Sequence, residues 1–465
     1  MLAPKLQPFK PPPLQRTLAT LALIADKCTT LDQLKQVQAQ MIVSAVVSTD
    51  PFAASRLFFS CALSPFGDLS LASRIFHSTP RPNSFMWNTL IRAQTHAPHA
   101  LSLYVAMRRS HVLPGKHTFP FLLKACARLR SFTASQQVHV HVIKFGLDFD
   151  SHVVNALVRC YSVSGHCVSA RQVFDEMPEK ISSIWTTMVC GYAQNFCSNE
   201  ALRLFEDMVG EGFQPGGATL ASVLSACARS GCLELGERIH EFMKVKGVGL
   251  GEGVILGTAL VYMYAKNGAI AMARRLFDEM PDKNVVTWNA MICGLGAYGY
   301  VDDALGLFEK MKKEGIVVPN GVTFVGVLMA CCHAGLVDVG REIFQSLKSV
   351  YGIEPKIEHY GCLVDLLGRG GRFLEAVELV KGMPWKADVV ILGALLSASR
   401  ISGNTEVAER VVKDILALEP QNHGVHVALS NMYAEAGQWQ EVLRLRRKMK
   451  EERLKKAPGW SLVAT

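Results

Sequence analysis

The sequence lacks long apolar runs, paired cysteine motifs and a high content of charge. Only 19% of its 465 residues are charged and 49% are hydrophobic, a balance typical of a folded chain rather than a disordered one. The longest uncharged runs, near 181–198 and 284–301, contain Asn, Gln, Ser, Thr and Gly, so we expect no transmembrane helix and no membrane partner. Thirteen cysteines, an odd number without any Cys-x-x-Cys, argue against a disulfide framework.

Acidic residues are missing from the first 25 positions. This segment carries Lys5, Lys10 and Arg16, and the first acid is Asp26. We therefore expect residues 1–16 to be an organelle transit peptide, with an untargeted terminus as the alternative. Over the whole chain, 49 Lys and Arg against 40 Asp and Glu give a net charge of +9. This excess is compatible with a polyanionic partner but does not require one.

An internal repeat organises the rest of the chain. The stretches "VFDEMPEK" and "LFDEMPDK" contain the first two of three Met-Pro pairs, and the methionines recur every 103 residues, at Met177, Met280 and Met383. The apolar runs "LLKAC", "VLSAC" and "VLMAC" recur with similar spacing, at Cys126, Cys227 and Cys331. Each interval of about 100 residues holds three non-identical units of 31 to 37 residues.

One unit, 285–320, predicts a helical hairpin. Its first half has apolar residues at i, i+3, i+4 and i+7, which are Trp288, Met291, Ile292 and Leu295. The apolar face of its second half is Ala304, Leu307, Phe308 and Met311. Gly299 and Gly315 suit the ends of the two helices, and Gly294 allows a neighbouring helix to approach closely. Because one hairpin cannot bury both faces, we expect stacked hairpins with a continuous core, an α-solenoid.

The units resemble pentatricopeptide repeats (PPRs) of the plant subclass that alternates variants named P, L and S. Variant order, unit lengths and the Met-Pro ends carry this resemblance, which covers 17–388 as about 11 repeats. Two further segments, 389–422 and 423–465, resemble the family's E1 and E2 motifs. The resemblance implies an all-α fold, a right-handed α-solenoid superhelix of stacked helix-turn-helix repeats. A tetratricopeptide array also fits 389–455, but not the Trp-Asn starts or the Met-Pro ends.

The resemblance also implies that each repeat reads one base of single-stranded RNA. In the family, the fifth and last residues of a repeat face the base edge, and an apolar second residue packs against the base. By position, the reader pairs are Asn289 with Asn320 for a pyrimidine, and Thr258 with Asn284 and Ser55 with Asn83 for adenine. The packing residues of the first two pairs are Val286 and Ile255.

Three further repeats keep a reader only at the fifth residue. Asn88 and Asn155 favour a pyrimidine and Thr186 favours a purine. Their partners at the last residue cannot hydrogen-bond a base by side chain, and they are Gly115, Ile181 and Gly216. The alternative for any single polar residue of this kind is a helix cap or an exposed helix position. The RNA is expected to run 5′ to 3′ along the N-to-C direction of the repeats.

The remaining repeats depart further from the family pattern. In the last S unit, 358–388, Cys362 and Asp388 take the two reader places. The L units place Pro120 and Ala221 at the fifth residue. Neither side chain offers a hydrogen bond to a base, so these L units are expected to show no base preference.

Family members with E motifs commonly act in organellar cytidine-to-uridine RNA editing, and some carry a C-terminal zinc deaminase domain. That domain needs His-x-Glu and a downstream Cys-x-x-Cys, and neither motif occurs in this sequence. We interpret His139, His141 and His333 as packing or surface residues rather than metal ligands. The chain is therefore expected to have no catalytic residue, metal or cofactor. The deaminase would act in trans, from a deaminase-bearing PPR protein and multiple organellar RNA editing factors.

The leading hypothesis is a site-recognition factor for organellar RNA editing, in the E subgroup of the family. Its expected location is the mitochondrion, with the chloroplast as the alternative. A factor for organellar splicing or transcript stability is the second hypothesis, and a protein-interaction scaffold built like a tetratricopeptide array is the third. The basic stretch Arg444–Lys456 suits contact with RNA phosphates and, equally, a solvated helix face.

Overall fold

The computed structural model describes residues 23–44, 50–94, 97–247, 253–422 and 424–451, and in these ranges helices are the only regular elements. The longer helices are, in chain order, α1 Leu31–Val43, α2 Pro51–Leu63, α3 Leu69–Ser78, α4 Ser84–Ala93, α5 Ala97–Arg109, α6 Thr118–Leu129, α7 Phe132–Lys144, α8 Ser151–Val163, α9 Cys167–Glu176, α10 Ser182–Gln194, α11 Ser198–Gly210, α12 Gly217–Ser230, α13 Leu233–Val245, α14 Val254–Lys266, α15 Ile270–Glu279, α16 Val285–Ala297, α17 Val301–Glu314, α18 Gly321–Ala334, α19 Val337–Ser349, α20 Ile357–Arg369, α21 Phe373–Lys381, α22 Val389–Ile401, α23 Thr405–Leu418, α24 Gly424–Glu435 and α25 Trp439–Glu451. None of the helices in the described ranges is long and apolar enough to span a membrane.

Two compact units divide the chain after Ala226, and each is a stack of helical hairpins. In the first unit, the first helices of successive hairpins pack in a row, namely α2, α4, α6, α8 and α10. In the second unit, the corresponding row is α14, α16, α18, α20 and α22. Every first helix in these rows also packs against the second helix of its own hairpin. The all-α solenoid fold predicted from the repeat is thereby confirmed within each unit.

The hairpin of α16 and α17 follows the predicted pattern. The expected apolar residues are buried on both helices. Gly299 and Gly315 follow the two helices with positive φ angles of 76° and 63°, a conformation that glycine adopts without steric cost. A Cβ atom on Gly294 would lie 2.6 Å from the Cβ atom of Ala265. The close packing of α14 against α16 therefore depends on the missing side chain.

The tryptophan near the start of three repeats is a packing residue. Trp288 meets Phe277 of α15 edge to face, with ring centroids 5.1 Å apart and planes at 82°. Aromatic rings favour this arrangement because the positive ring edge meets the negative ring face. The same contact recurs at 4.9 and 4.7 Å, in the pairs Phe174–Trp185 and Phe76–Trp87. These pairs join each hairpin to the next, which explains why a phenylalanine recurs eleven residues before each of these tryptophans.

Candidate nucleic-acid interface

In several repeats the last residue caps the first helix of the next repeat. Asn320 precedes α18, and its Oδ1 accepts hydrogen bonds from two backbone N–H groups of that helix, at 3.1 and 3.3 Å. Asn284 does the same for α16, and Asn83 and Asp388 cap α4 and α22 with one bond each. A side-chain cap stabilises a helix by about 1 kcal/mol. These predicted readers therefore have a structural role as well.

The two predicted readers of 285–320 meet directly. Asn289 Nδ2 donates to Asn320 Oδ1 at 3.0 Å, and Asn289 Oδ1 accepts from Thr323 Oγ1 at 2.6 Å. The backbone N–H of Asn320 donates to Thr323 Oγ1 at 3.0 Å, which completes a capping box. Asn289 is 7% exposed and Thr323 is fully buried. The amide of Asn289 thus lies just beneath the surface, with both of its polar atoms engaged.

The other two strong pairs also come together, one of them through an intermediate. Asn83 Nδ2 donates to Ser55 Oγ at 3.1 Å. Thr258 and Asn284 are linked through Thr287, whose Oγ1 lies 2.6 Å from Thr258 Oγ1 and donates to Asn284 Oδ1 at 3.1 Å. The structure therefore places each fifth residue beside the helix cap of the following repeat. That these side chains read bases remains a prediction.

The weaker predicted readers are held less well. The Oδ1 atoms of Asn88 and Asn155 are buried without a hydrogen-bond partner. A buried polar atom without a partner lowers the stability of the fold by about 1–3 kcal/mol. Each of these two oxygens can still accept a hydrogen bond. Thr186 is better held, because its Oγ1 lies 2.9 Å from Thr219 Oγ1. Ile181, the last residue before α10, precedes that helix without a side-chain cap.

Sequence reasoning missed a set of threonines at the third residue of the repeats. Thr219, Thr287 and Thr323 each hydrogen-bond the fifth residue of the preceding repeat. Thr118 has the same register, but its Oγ1 accepts from the backbone N–H of Gly115. The recurrence of Thr two residues after a repeat start was visible in the sequence. Its contact across the repeat boundary was not, because that contact depends on how adjacent helices pack.

Apolar side chains flank the polar groups at the start of the first helices. Ile255 is 72% exposed and Val286 is 57% exposed, each three residues before a predicted reader. The second residues of three other repeats are also exposed, namely Phe52, Phe85 and Val322. A nucleobase has an apolar face and a hydrogen-bonding edge. Each of these helix starts offers a surface of both kinds.

The structure changes the register of the last S unit. α20 begins at Ile357 after Lys356, so its fifth residue is Gly361, and Cys362, the predicted reader, is the sixth. The carbonyl oxygen of Cys362 accepts from Cys332 Sγ at 3.0 Å, and burial raises the pKa of the Cys362 thiol to about 11. The physical reason is one extra residue between Met383 and the cap Asp388, compared with the preceding S unit.

A basic stripe runs along the first helices of the first unit. It consists of the ninth residues of three successive repeats, Arg92, Lys124 and Arg159, all of which are exposed. In the second unit the corresponding ninth residues are uncharged, namely Tyr262, Cys293 and Met329. Exposed cations on a surface that also presents base-sized apolar groups suit a polyanionic nucleic acid.

A cavity of about 720 Å³ lies between α6 and α8 beside this stripe. Lys124, Arg159 and Asn155 line it. Its other cationic or imidazole side chains are Lys116, His117, Arg128 and His152, and none of its described lining residues is acidic. The cavity therefore combines an amide with acceptor capacity and a positive potential that attracts phosphate.

The histidines that could suggest a metal site have packing roles. His139 Nδ1 lies 3.0 Å from the hydroxyl of Tyr161, and His141 Nδ1 lies 2.8 Å from the hydroxyl of Tyr104. Burial lowers the pKa of both histidines, which favours the neutral imidazole. In the described ranges, no group of three or more His, Cys, Asp and Glu side chains could hold a metal ion.

Both ends of the sequence carry predictions that the structure does not reach. The predicted transit peptide 1–16 and residues 452–456 of the basic stretch lie outside the described residues. From α25, Arg446 Nε donates to Ser430 Oγ of α24 at 3.1 Å, and within α25 Arg444 Nη1 lies 3.7 Å from Glu441. These contacts suit the solvated helix face, and phosphate contact by this stretch remains a prediction.

Stacked helical hairpins whose capped helix starts present polar and apolar groups together define a helical-repeat protein of the α-solenoid class. Sequence models of known protein families match most of the described chain. The description "PPR repeat" matches 152–180, 183–213, 258–285, 322–350 and 358–386, "PPR repeat family" matches 283–333, and "Pentatricopeptide repeat domain" matches 203–249. The "E motif" matches 402–464. The chain belongs to the pentatricopeptide repeat family, and its E motif places it in the E subgroup predicted from the sequence.

Relatives and solved structures agree with this assignment. The chain is 39% identical to the Arabidopsis thaliana pentatricopeptide repeat-containing protein At1g59720, chloroplastic/mitochondrial, over 95% of this chain and 71% of that protein. It is 36% identical to the chloroplastic protein CRR2 of the same plant, over 96% of this chain and 68% of that protein. The crystal structure of the pentatricopeptide repeat protein PPR10 from maize covers 94% of this chain and 74% of its own, with 16% identity and a TM-score of 0.55. This last similarity supports the fold alone.

Proposed function

We propose that this protein binds single-stranded organellar RNA in a sequence-specific manner and selects cytidines for conversion to uridine. The observation that carries the proposal is the repeated arrangement at the helix starts. There, a polar fifth residue such as Asn289 is held by the cap of the next helix, beside an exposed apolar residue such as Val286. A repeat with this arrangement suits the reading of one base.

The predicted base preferences follow the order of the repeats. They are adenine at Ser55, a pyrimidine at Asn88, no preference at Pro120, a pyrimidine at Asn155, a purine at Thr186, no preference at Ala221, adenine at Thr258 and a pyrimidine at Asn289. The cap residues Asn83, Asn284 and Asn320 complete three of these positions. Ile255 and Val286 would pack against the bases at Thr258 and Asn289.

The E motif favours editing over other uses of a bound RNA. In this proposal the repeats bind a short sequence upstream of the target cytidine. The segments 389–422 and 423–465 dock a deaminase-bearing PPR protein or organellar RNA editing factors. The chain itself supplies no catalytic residue, metal or cofactor. The mitochondrion is the proposed location and the chloroplast the alternative, in keeping with the compartments in the names of its relatives.

A mobility-shift measurement with the purified chain tests the RNA-binding part. The probe is a single-stranded RNA with the predicted order of bases, and the competitor has cytosine in place of the two adenines assigned to Ser55 and Thr258. We expect weaker binding to the competitor. Equal affinity for both RNAs would show that the register is wrong.

Sequencing organellar transcripts from a null mutant tests the editing part. Loss of conversion at one or a few cytidines is the expected result. Unspliced or missing transcripts with all editing intact would instead favour a role in splicing or transcript stability.

A further inference from the structure

We propose that Thr323 is a positioning residue that sets the base preference of Asn289, and that Thr287 does the same for Thr258. This proposal rests on the RNA-binding function proposed above and adds a third residue to two of the reader pairs. The two threonines are fully buried and would not touch RNA. They act through the hydrogen bonds that they make to the readers.

The amide of Asn289 has one favourable orientation in its network. Its Nδ2 lies 3.0 Å from Asn320 Oδ1, and its Oδ1 lies 2.6 Å from Thr323 Oγ1. A flip of the amide would set its oxygen against Asn320 Oδ1, and neither oxygen could donate a hydrogen bond. The acceptor on Asn320 and the hydroxyl of Thr323 therefore hold this orientation together, one at each end of the amide.

That acceptor is itself held by the first turn of α18. Asn320 Oδ1 receives two backbone N–H groups at the positive end of this helix. One of the two Nδ2 hydrogens of Asn289 and one of the two Oδ1 lone pairs are thus committed to the protein. Asn289 keeps one donor and one acceptor for a base edge. Because the amide cannot flip freely, these two groups keep a fixed order.

Thr287 restricts the hydrogen-bonding role that Thr258 can offer, because the two hydroxyl groups share one hydrogen bond. A hydroxyl group carries one hydrogen, and Asn284 Oδ1 can only accept. Thr287 can donate its one hydrogen to Asn284 at 3.1 Å, and in that arrangement the hydrogen in the 2.6 Å contact comes from Thr258. Thr258 then offers only lone pairs to a base. An acceptor of this kind suits the exocyclic amino group of adenine and disfavours the carbonyl O6 of guanine.

The first unit contains a natural contrast. The repeat after Asn155 has Ile184 at its third residue, and Asn155 Oδ1 has no hydrogen-bond partner. No hydroxyl holds this amide, so both of its orientations remain open. We expect a broader base preference at Asn155 than at Asn289.

The substitutions Thr323→Val and Thr323→Ser test the proposal in the full chain. Valine keeps the shape of threonine without its hydroxyl, and serine keeps the hydroxyl. Affinities are measured for four RNAs that follow the predicted order and differ only in the base assigned to Asn289. We expect T323V to lower the ratio of pyrimidine to purine affinity by about tenfold and T323S to retain the ratio. An unchanged ratio in T323V would overturn the proposal.

Thr118→Val is the matched control. Thr118 is also fully buried at the third residue of its repeat, but it bonds the backbone of Gly115 and leaves Asn88 Oδ1 without a partner. T118V should leave the base preference at Asn88 unchanged. If T323V instead weakened all four RNAs equally, as a general loss of structure would, the positioning role would be wrong.

A measurement without RNA separates this proposal from the proposed function. Hydrogen exchange of the Asn289 side-chain amide, followed by NMR in chain labelled at asparagine, should be faster in T323V than in T323S. Unchanged exchange would overturn the positioning role even if RNA binding is confirmed. If the unsubstituted chain bound none of the four RNAs, the function would fail, while faster exchange in T323V would still establish that Thr323 holds the amide.

Discussion

The two compact units hold their predicted readers in different ways. In the second unit, Asn289 and Thr258 are tied to the cap of the following helix through buried threonines. In the first unit, Ser55 and Thr186 are held in a similar way, but Asn88 and Asn155 keep a carbonyl oxygen without a partner. A stripe of exposed cations, absent from the equivalent positions of the second unit, runs beside them. We therefore expect Asn289 and Thr258 to discriminate between bases more sharply than Asn88 and Asn155, and the stripe to add affinity through charge.

The largest expected effect comes from reversing the charge of the stripe. Lys124→Glu combined with Arg159→Glu should weaken binding by about tenfold to a hundredfold for every RNA sequence, because phosphate contacts carry no sequence information. The slope of log affinity against log salt concentration should fall by about 0.7 for each lost contact. Fluorescence anisotropy across a series of salt concentrations measures both quantities.

Two exposed cations on second helices provide the control for this experiment. Arg203→Glu combined with Lys310→Glu makes the same change in net charge away from the stripe. This variant should keep both the affinity and the salt slope. If it lost as much affinity as the stripe variant, net charge and not the stripe would attract the RNA.

Removing one reader from each unit should have the next largest effect. Asn289→Ala should lower affinity for the preferred RNA by about tenfold and abolish the preference for a pyrimidine at its base. Asn155→Ala should lower affinity by about threefold, because its amide is not held in one orientation. Competition binding with RNAs changed at one base measures each loss. Equal losses in preference would contradict the division of roles between the units.

Much of this arrangement could be predicted from the sequence, and the parts that could not be predicted have physical causes. The spacing of apolar residues predicted the hairpin of α16 and α17, and counting residues within repeats paired Asn289 with Asn320. Counting back from Asp388 placed Cys362 at the fifth position, where the structure has Gly361. The count was wrong by one because the extra residue lies in the loop before Asp388 and does not move the start of α20. The link from Thr258 to Asn284 through Thr287 also could not be predicted, since it depends on packing across a repeat boundary.

Adding an asparagine partner for a reader of the first unit should have a smaller effect, and it should increase base preference instead of lowering it. Gly115 precedes its helix with no side chain, and a Cβ atom there would meet nothing within 4 Å. Gly115→Asn should supply a side-chain partner for Asn88. We expect the pyrimidine preference at Asn88 to sharpen by about threefold in the competition assay. An unchanged preference would show that the last residue alone does not orient the reader.

The smallest expected effect is a dependence of stability on pH that both units share. Burial lowers the pKa of His139 in the first unit and of His240 in the second. Each accepts or donates one hydrogen bond with a tyrosine hydroxyl, at 3.0 and 2.9 Å. Because the unfolded chain binds these protons more tightly, their contribution to stability is fully present above pH of about 6.5 and is lost as the pH falls below it. Thermal unfolding of His139→Gln and His240→Gln should therefore vary less with pH between 7 and 5 than that of the unsubstituted chain. An equal pH dependence in all three chains would assign the effect to other groups.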